Sequence, residues 1–556
     1  MRIHGGRLTA VGMAALLCCA NASAQQAAPQ PGQDRPLPEA SSQPDLDFTI
    51  QAPRRSPVPR AVEELTFDVK DVRIAGATRY GQDVLHPLVQ PVIGKTVHLD
   101  DLIAIAEQIE ARYHQDGYVL TRVFVPTQSV TDGNFQITVI EGYIAAVAVQ
   151  GGDEDTRDRV EKLVTPLTRE RPLQVSSLET ALLLANKLPG VSASGLLRPS
   201  ATEPGASELV VTVKDVPIYG GLAADNMGSA NTGRWTIAAD ATAPSPLGDG
   251  GQISLNASVD PASYDERHSI SGKYTAPLPL LDGMTYSLTG LASHGAPGGT
   301  VSNLSLITDS TAFGGRVALP LLVSRAEELS IDGGLTVQSA DVRALGSPLT
   351  HDEWRVADLA LTYANNVWAD GVTNATFDLA QGIPSLGASA SGSAGLSRGG
   401  GSTEFTKFTA LVRRTQAIAG PLSAAVTINA QYALDTLLTG EEVSFGGQMI
   451  GRGYDPGSIT GDIGAGAALE VRYDFDGSWF YADSTQLFTF VDGAEVRNHS
   501  GPVDKNQIAS VGGGIRVTIP GNVTLGLMFG HALIGVPGND QEKQSSRVML
   551  TTAVRF

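Results

Sequence analysis

The chain has 556 residues, of which 17% are charged and 62 are glycine. Its formal net charge of −19 argues against a nucleic-acid partner, since one polyanion repels another. Length alone suggests about three or four domains, although wide barrels run long as single units.

Residues 1–24 predict a secretory signal. Arg2 and Arg7 give a basic start, Leu8 to Ala20 an apolar run too short to span a bilayer, and Ala22-Ser23-Ala24 a small-residue cleavage site. Both cysteines, Cys18 and Cys19, fall inside it, so the mature chain is expected to offer no disulfide, thiol nucleophile or thiolate metal site. Residues 25–62 are rich in Pro, Gln and Ser. That composition favours extended polyproline structure over a packed core and predicts a linker or tail.

One pattern then occurs twice. In residues 63–142, Phe67 to Ile74 predicts a strand, Tyr80 to Gln90 a short helix and His98 to Gln115 a stronger one. The second helix has Leu102, Ala106, Ile109 and Tyr113 on one face and Asp100 and Asp101 in the first turn. Strands Leu120 to Val125 and Asn134 to Glu141 follow, around a turn at Asp132-Gly133. Residues 143–216 repeat the β-α-α-β-β order: strand Ile144 to Gln150, helix Asp155 to Leu167, helix Leu178 to Leu188 and strands Ser192 to Leu197 and Glu208 to Lys214. Ser176 and Glu179 predict a capping box for the second helix, and Pro189-Gly190 its stop.

The runs Gly117-Tyr118-Val119-Leu120-Thr121-Arg122-Val123-Phe124-Val125-Pro126 and Ile137-Thr138-Val139-Ile140-Glu141-Gly142 resemble the first polypeptide-transport-associated (POTRA) domain of two-partner secretion outer-membrane transporters, the haemolysin secretion/activation family of TpsB type. Ala181 to Val191 resembles the second, and the order of parts matches that family over nearly all of the chain beyond the Pro-rich start. A small sheet with an open edge can accept an extended peptide as an added strand, so Arg122, Val123, Phe124 and Val125 are a candidate substrate-docking edge.

Residues 217–556 alternate with period two. Leu422, Ala424, Val426, Ile428, Ala430 and Tyr432 stand against Ser423, Thr427, Asn429 and Gln431. Apolar outside and small polar inside is what a strand needs between lipid and a water-filled lumen. Roughly sixteen such segments of about ten residues each predict an antiparallel transmembrane β-barrel in a mainly β protein. Short turns at Pro244 to Gly250, Pro277 to Gly283 and Ala419 to Pro421 alternate with long polar loops at Ile383 to Thr403 and Asp435 to Asp462. The last strand, Ser545 to Phe556, ends the chain on a phenylalanine. It is expected to close the barrel, with Phe556 as the signal read by the barrel assembly machinery.

Within the second long loop lies Ile450-Gly451-Arg452-Gly453-Tyr454-Asp455, which resembles the Arg-Gly-Tyr/Phe motif of the same transporters and their assembly-factor relatives. The resemblance implies that this loop folds back into the lumen. Phe488, Phe490 and Asp492 share one parity, so Asp492 faces inward if Thr489 and Val491 face lipid. Phe490-Val491-Asp492-Gly493-Ala494 resembles the family's Phe-x-Asp-x-Gly, with glycine one position early. Arg452 is thus expected to pair with Asp492 as a latch. In a wet lumen such a pair is partly screened and worth about 1 kcal/mol in isolation, and more only if stacking and further hydrogen bonds desolvate it, and exchanging its two charges should restore part of what either single change loses.

No Gly-x-x-x-x-Gly-Lys-Ser/Thr cradles a phosphate, no Gly-x-Ser-x-Gly lies between a strand and a helix, and the nine histidines form no His-x-x-x-His pair. The resemblance therefore implies a protein that is not an enzyme and needs no cofactor or metal. It would be a pore whose partners are a secreted exoprotein, an adhesin or haemolysin, and the lipid of the outer membrane, with the POTRA domains in the periplasm. The alternative within the same superfamily is an assembly factor that inserts other barrels.

Overall fold

The computed structural model describes residues 48–50, 66–128, 130, 132–200, 203–475, 482–499, 506–535 and 546–556. The expected signal segment, with both cysteines, and most of the Pro-rich stretch lie outside the described residues. The chain divides into two compact units, one built on Pro44–Val216 and the other on Pro217–Leu322 and Ala326–Phe556.

The first unit holds the repeated α+β domains. Its first strand, β1 (Phe48–Ile50), belongs to the second of them. The first domain contains β2 (Thr66–Asp68), β3 (Asp71–Ala75), α1 (Gln82–Val89), β4 (Thr96–His98), α2 (Leu99–Gln115), β5 (Arg122–Phe124) and β6 (Asn134–Ile140). Its sheet order is β3-β6-β5, parallel then antiparallel. Helix α2 starts where the Asp101 carboxylate accepts the His98 N–H at 2.9 Å, relieving one donor that the first turn leaves unpaired. It buries Leu102, Ile105, Ala106, Ile109 and Tyr113 in the core. Before β6 the chain turns through Asp132 and Gly133 at φ 60° and 77°. A Cβ at Gly133 would meet the Asp68 carbonyl at 2.6 Å, so this turn takes no other residue without rearrangement.

Glu141 ties the same domain together. Its carboxylate accepts the N–H groups of Thr78 and Arg79 at 2.8 Å each, the Tyr113 hydroxyl at 2.7 Å and the Thr78 hydroxyl. Burial by itself would raise this carboxyl, but those donors outweigh it and hold the group below its ordinary 4.5.

The second domain contains β7 (Tyr143–Gly151), α3 (Glu154–Val164), α4 (Val175–Asn186), β8 (Val191–Pro199) and β9 (Ala206–Asp215). Helix α4 begins earlier than Ser176 and Glu179 predict. Gln174 is its N-cap without a side-chain cap, so Ser176 lies inside the first turn and the expected capping box does not form.

The sheet has a fourth strand that composition did not suggest. Its order is β1-β8-β9-β7, with β1 parallel to β8. The expected linker at 25–62 is therefore partly structured. Between Pro44 and Pro53 no proline interrupts the chain, and Phe48 and Ile50 alternate so that both pack on the domain core while Thr49 stays exposed.

The second unit is a closed barrel of sixteen antiparallel strands. Its strands are β10 (Tyr219–Asp225), β11 (Thr236–Pro244), β12 (Gln252–Val259), β13 (Arg267–Pro277), β14 (Thr285–Gly295), β15 (Ile307–Val323), β16 (Glu327–Ala344) and β17 (Ser347–Asn365). They continue with β18 (Gly371–Gly382), β19 (Thr406–Ala419) and β20 (Leu422–Ala433). A small hairpin of β21 (Val443–Phe445) and β22 (Ile459–Gly461) follows, which forms a separate sheet and is no part of the barrel wall. The wall resumes with β23 (Ile463–Phe475), β24 (Ser484–Arg497), β25 (Asn506–Ile519), β26 (Val523–Ala532) and β27 (Ser546–Arg555).

Large apolar side chains such as Ile270, Phe313, Leu359, Phe408, Phe529 and Val548 are exposed around the outside, a belt that water would not tolerate and lipid solvates. Hydroxyls pair across neighbouring strands, Thr242 with Ser254 at 3.0 Å and Ser258 with Ser269 at 2.8 Å. Antiparallel β10 and β27 close the ring, and beyond the ladder Gly220 and Phe556 exchange both main-chain hydrogen bonds at 3.0 and 3.1 Å. Closure leaves no open sheet edge, which the hydrocarbon layer demands of any spanning sheet.

Candidate functional site: a loop anchored in the barrel lumen

The segment joining β20 to β23 turns back into the barrel. Its own Val443, Phe445, Ile450, Tyr454 and Ile459 form a buried core with Ala468, Ala494, Val496, Ile508 and Ala532 of the wall. The loop read as polar is thus apolar on the side it lays against the strands.

At its tip Arg452 meets two carboxylates. Its Nε donates to Asp492 Oδ2 at 3.0 Å and its Nη1 to Glu470 Oε2 at 2.5 Å. Asp492 also accepts the Gly451 N–H at 3.0 Å, the Arg452 N–H at 3.4 Å and the Ser510 hydroxyl. Successive main-chain donors around one oxygen pair make a small anion-holding nest. Glu470 is shared in turn with Arg472 Nε at 2.8 Å and Arg516 Nη1 at 2.9 Å. Beneath the charges, the Arg452 guanidinium lies 3.6 Å from the ring centre of Phe490, and that of Arg516 lies 3.9 Å from Phe488, both within cation–π range.

The stacking and further hydrogen bonds on which a stronger pair is conditional are both present. Arg452 and Asp492 are only 5% and 4% exposed, so water does not screen the pair, because the loop's apolar residues seal it against the wall. A buried, multiply hydrogen-bonded pair of this kind costs far more to break than an isolated, screened one. Glycine one position early at 493 leaves the strand regular: Asp492 and Gly493 keep unbroken register with Ser510 and Ala509 on one side and with Ala468 and Ala467 on the other.

Tyr454 is fully buried, its hydroxyl donating toward the carbonyls of Ala509 and Ile534 and receiving their N–H groups at 3.3 and 3.1 Å. The Arg547 guanidinium on β27 donates to the Tyr454 carbonyl and stands 3.2 Å from Asp455, which also lies 3.2 Å from Arg234. Gly453 is required by proximity: a Cβ there would meet Ala532 N at 2.7 Å and Ser510 Cβ at 2.9 Å.

A second anchor joins two loops. Arg398, between β18 and β19, binds Asp462 at 2.5 Å and Glu442 at 3.2 Å. Asp462 is fully buried and accepts the N–H groups of Leu437 and His499 at 2.8 Å each. Burial pushes the Glu442 carboxyl up to about 7 against the pull of Arg398.

The structure brings Arg452, Gly453, Tyr454, Phe490 and Asp492 into one place. Phe556 lies elsewhere, at the barrel seam, and is 69% exposed. Arg122, Val123 and Phe124 form the edge strand β5 of the first domain's sheet, and Val125 lies just beyond it, packed against the core. There the Val123 N–H is already taken by Glu110 at 2.9 Å, the Thr121 carbonyl by the His114 ring at 3.0 Å, and Arg122 by Glu110 at 3.2 Å.

Sequence reasoning missed Glu470, Arg472, Arg516, Arg547 and the Arg398–Asp462 anchor, and it placed Phe488 on the inward face without a partner. The available signal was charge at inward parity: Glu470 and Arg472, two residues apart, break a face of small side chains in Gly464, Gly466 and Ala468. Among the described residues no three or more of His, Cys, Asp and Glu converge as a metal site, and no helix is long and apolar enough to cross a membrane.

A sixteen-stranded closed barrel following POTRA-type domains, with a lumenal loop held by an arginine on an inward aspartate, defines a class of outer-membrane transport barrels. The chain belongs to the haemolysin secretion/activation family ShlB/FhaC/HecB, whose model matches residues 205–517, and a ShlB-type POTRA model matches residues 67–142. The barrel accordingly sits in the outer membrane and the POTRA domains in the periplasm.

Among its relatives, "Hemolysin transporter protein HpmB" of Proteus mirabilis is 28% identical over 244 residues, 43% of this chain and 42% of that one. The chain therefore aligns with less than half of that relative's length. "Outer membrane transporter CdiB" of Dickeya dadantii (strain 3937) is 22% identical over 501 residues, 88% of this chain and 86% of that one. In fold it is similar to the solved structure of CdiB from Escherichia coli, with a TM-score of 0.69 and 20% identity over 90% of this chain and 93% of the other.

Proposed function

We propose that the protein takes an unfolded secreted polypeptide from the periplasm and passes it, extended, through the barrel to the cell surface without nucleotide hydrolysis, as a conduit and not an enzyme. The observation that carries this reading is the lumen. A sealed ring of strands with hydroxyls on its walls is occupied by the protein's own loop, held by a few buried charges that can let go. Walls of small polar side chains, with inward charges such as Glu470, Arg472 and Arg516 paired among themselves, solvate a moving backbone without gripping it. Family membership and relatives named as haemolysin and outer-membrane transporters support the choice of cargo class. Direction comes from folding of the emerging chain outside.

Arg452, Gly453, Tyr454, Phe490 and Asp492 act as the latch that holds the loop in the lumen. The exposed belt meets lipid, and Phe556 at the seam is the residue the assembly machinery reads. Deleting the protein and comparing the medium by mass spectrometry tests the proposal. Loss of one large polypeptide from the medium is expected, while general loss of outer-membrane proteins would favour an assembly factor instead.

A further inference from the structure

We propose that the outer wall of the barrel carries a binding site for one phosphorylated glycolipid of the outer leaflet, with an acyl chain in a trough across β18 to β24 and a phosphate on Arg497. The inference rests on the exposed belt meeting lipid and not on the passage of cargo. A cavity of about 950 Å³ opens on this part of the wall, and its floor follows from the register. Ala410 on β19 pairs with Ala430 on β20, and Ala430 with Ala465 on β23, in a row that runs from Phe377 on β18 to Glu495 on β24. Two residues along each strand, and so on the same face, Leu379, Phe408, Tyr432 and Ile463 form the next row, which ends on Arg497. Phe408 and Tyr432 are 48% and 54% exposed, so they stand out from the wall while the alanines beside them stop at Cβ. Val412 and Ile428, themselves a register pair, flank Ala410 and Ala430 on the other side. Glu495 and Arg497 have the parity opposite to the inward Asp492, which places the trough on the outside.

Its dimensions select the occupant. Four strand spacings of about 4.8 Å separate Phe377 from Glu495, making the trough roughly 19 Å long. One leaflet is about 15 Å deep, so a chain crossing it at a slant has that length. The rows on either side of the floor lie only about 7 Å away, which admits one hydrocarbon chain and not a helix about 10–12 Å across. Strand β24 ends on the side of the long loops 383–405 and 434–462, the outer surface in barrels of this kind. The trough therefore rises from the middle of β18 to the outer rim, where a lipid carries its head.

The rim is matched to that head. Arg497 gives Nε and Nη2 to the Glu495 carboxylate at 2.8 and 2.7 Å, and Gln507 gives its amide to the same carboxylate at 2.9 Å. Glu495 so fixes the guanidinium, leaving Nη1 without a partner among the described residues on a side chain 55% exposed. A planar cation held this way takes a phosphate. The Tyr432 hydroxyl supplies a further donor for an ester or sugar oxygen. The outer leaflet of this membrane is built of phosphorylated glycolipid, which brings the phosphate, the sugar and the acyl chain together.

The test takes the protein purified from outer membranes and delipidated in detergent, and measures retained lipid by native mass spectrometry. The probes are bisphosphorylated lipid A, its dephosphorylated form and phosphatidylglycerol. The parent is expected to hold one lipid A, and Arg497→Gln to hold it on the order of tenfold more weakly, the loss of one hydrogen bond to a charged group. Arg497→Gln is expected to leave binding of the dephosphorylated form unchanged, whereas Ala430→Phe, which fills the floor, weakens both. Ala292→Phe adds the same ring at an exposed position on β14 and is expected to bind as the parent does. Lipid A binding equal to the parent's in both Arg497→Gln and Ala430→Phe, at unchanged heat-modifiable mobility, overturns the proposal. Phosphatidylglycerol held as tightly as lipid A overturns it too. A parent that stays dispersed once detergent is removed would instead overturn the lipid-facing belt itself.

Discussion

Arg452 serves two carboxylates, and that decides what its loss does. Arg452→Ala leaves Asp492 and Glu470 buried with one cation fewer, and deleting one member of a buried pair costs about 3–5 kcal/mol. Limited proteolysis of the protein in liposomes is expected to cut residues 446–458 readily in this variant and slowly in the parent. Exchanging the charges looks from the sequence like a partial rescue. In the structure, aspartate at 452 would face Glu470, and arginine at 492 would meet N–H and hydroxyl donors. Arg452→Asp with Asp492→Arg is therefore expected to be cut at least as fast as Arg452→Ala. In the first POTRA-type domain Glu141 sets a pH dependence. Its folded pKa lies below the ordinary 4.5, so its contribution to stability is complete above pH 4.5 and is lost as pH falls through the folded value. Hydrogen exchange is expected to show α1 and α2 losing protection on acidification, and Glu141→Gln to have low protection at both pH values.

At the scale of elements, the lumenal loop is seated by fit as much as by charge. Gly453→Ala puts a methyl within 3 Å of the Ala532 nitrogen and the Ser510 Cβ, neither of which can yield without moving a wall strand. The variant is expected to expose the loop to protease about as Arg452→Ala does, with the charge network chemically untouched. Slow cleavage like the parent's would show that the loop is held by charge alone. The strands themselves were legible because period-two alternation writes lipid and lumen directly into the sequence, as in Leu422 to Tyr432. The site was legible only in its two ends, Arg452 and Asp492. Glu470 and Arg516 join them across the neighbouring strands β23 to β25, a relation that no single-strand pattern encodes, and the burial of the pair depends on Phe445, Ile450 and Ile459, apolar residues scattered through a glycine-rich loop. Strand β1 was hidden for a different reason. Three residues carry too little pattern to stand out inside a Pro-rich composition, and only the partner edge makes them a strand.

The second unit is a closed barrel with a loop of its own chain packed inside it. Sealing by β10 and β27 makes the wall continuous, so on the proposed reading a passing chain runs through the lumen, beside the loop that Arg452, Tyr454 and Arg547 hold in place. The fold that stabilises the barrel and the contacts that close it are therefore separable: the first is main-chain pairing around the ring, the second a handful of buried side chains. The most direct measurement is conductance of the purified full chain in planar bilayers, parent beside Arg452→Ala. Small, infrequent openings are expected from the parent and larger or longer ones from the variant, at unchanged insertion and heat-modifiable mobility. Equal conductance from the two, or none from either, would contradict a water-filled lumen closed by an arginine-anchored loop.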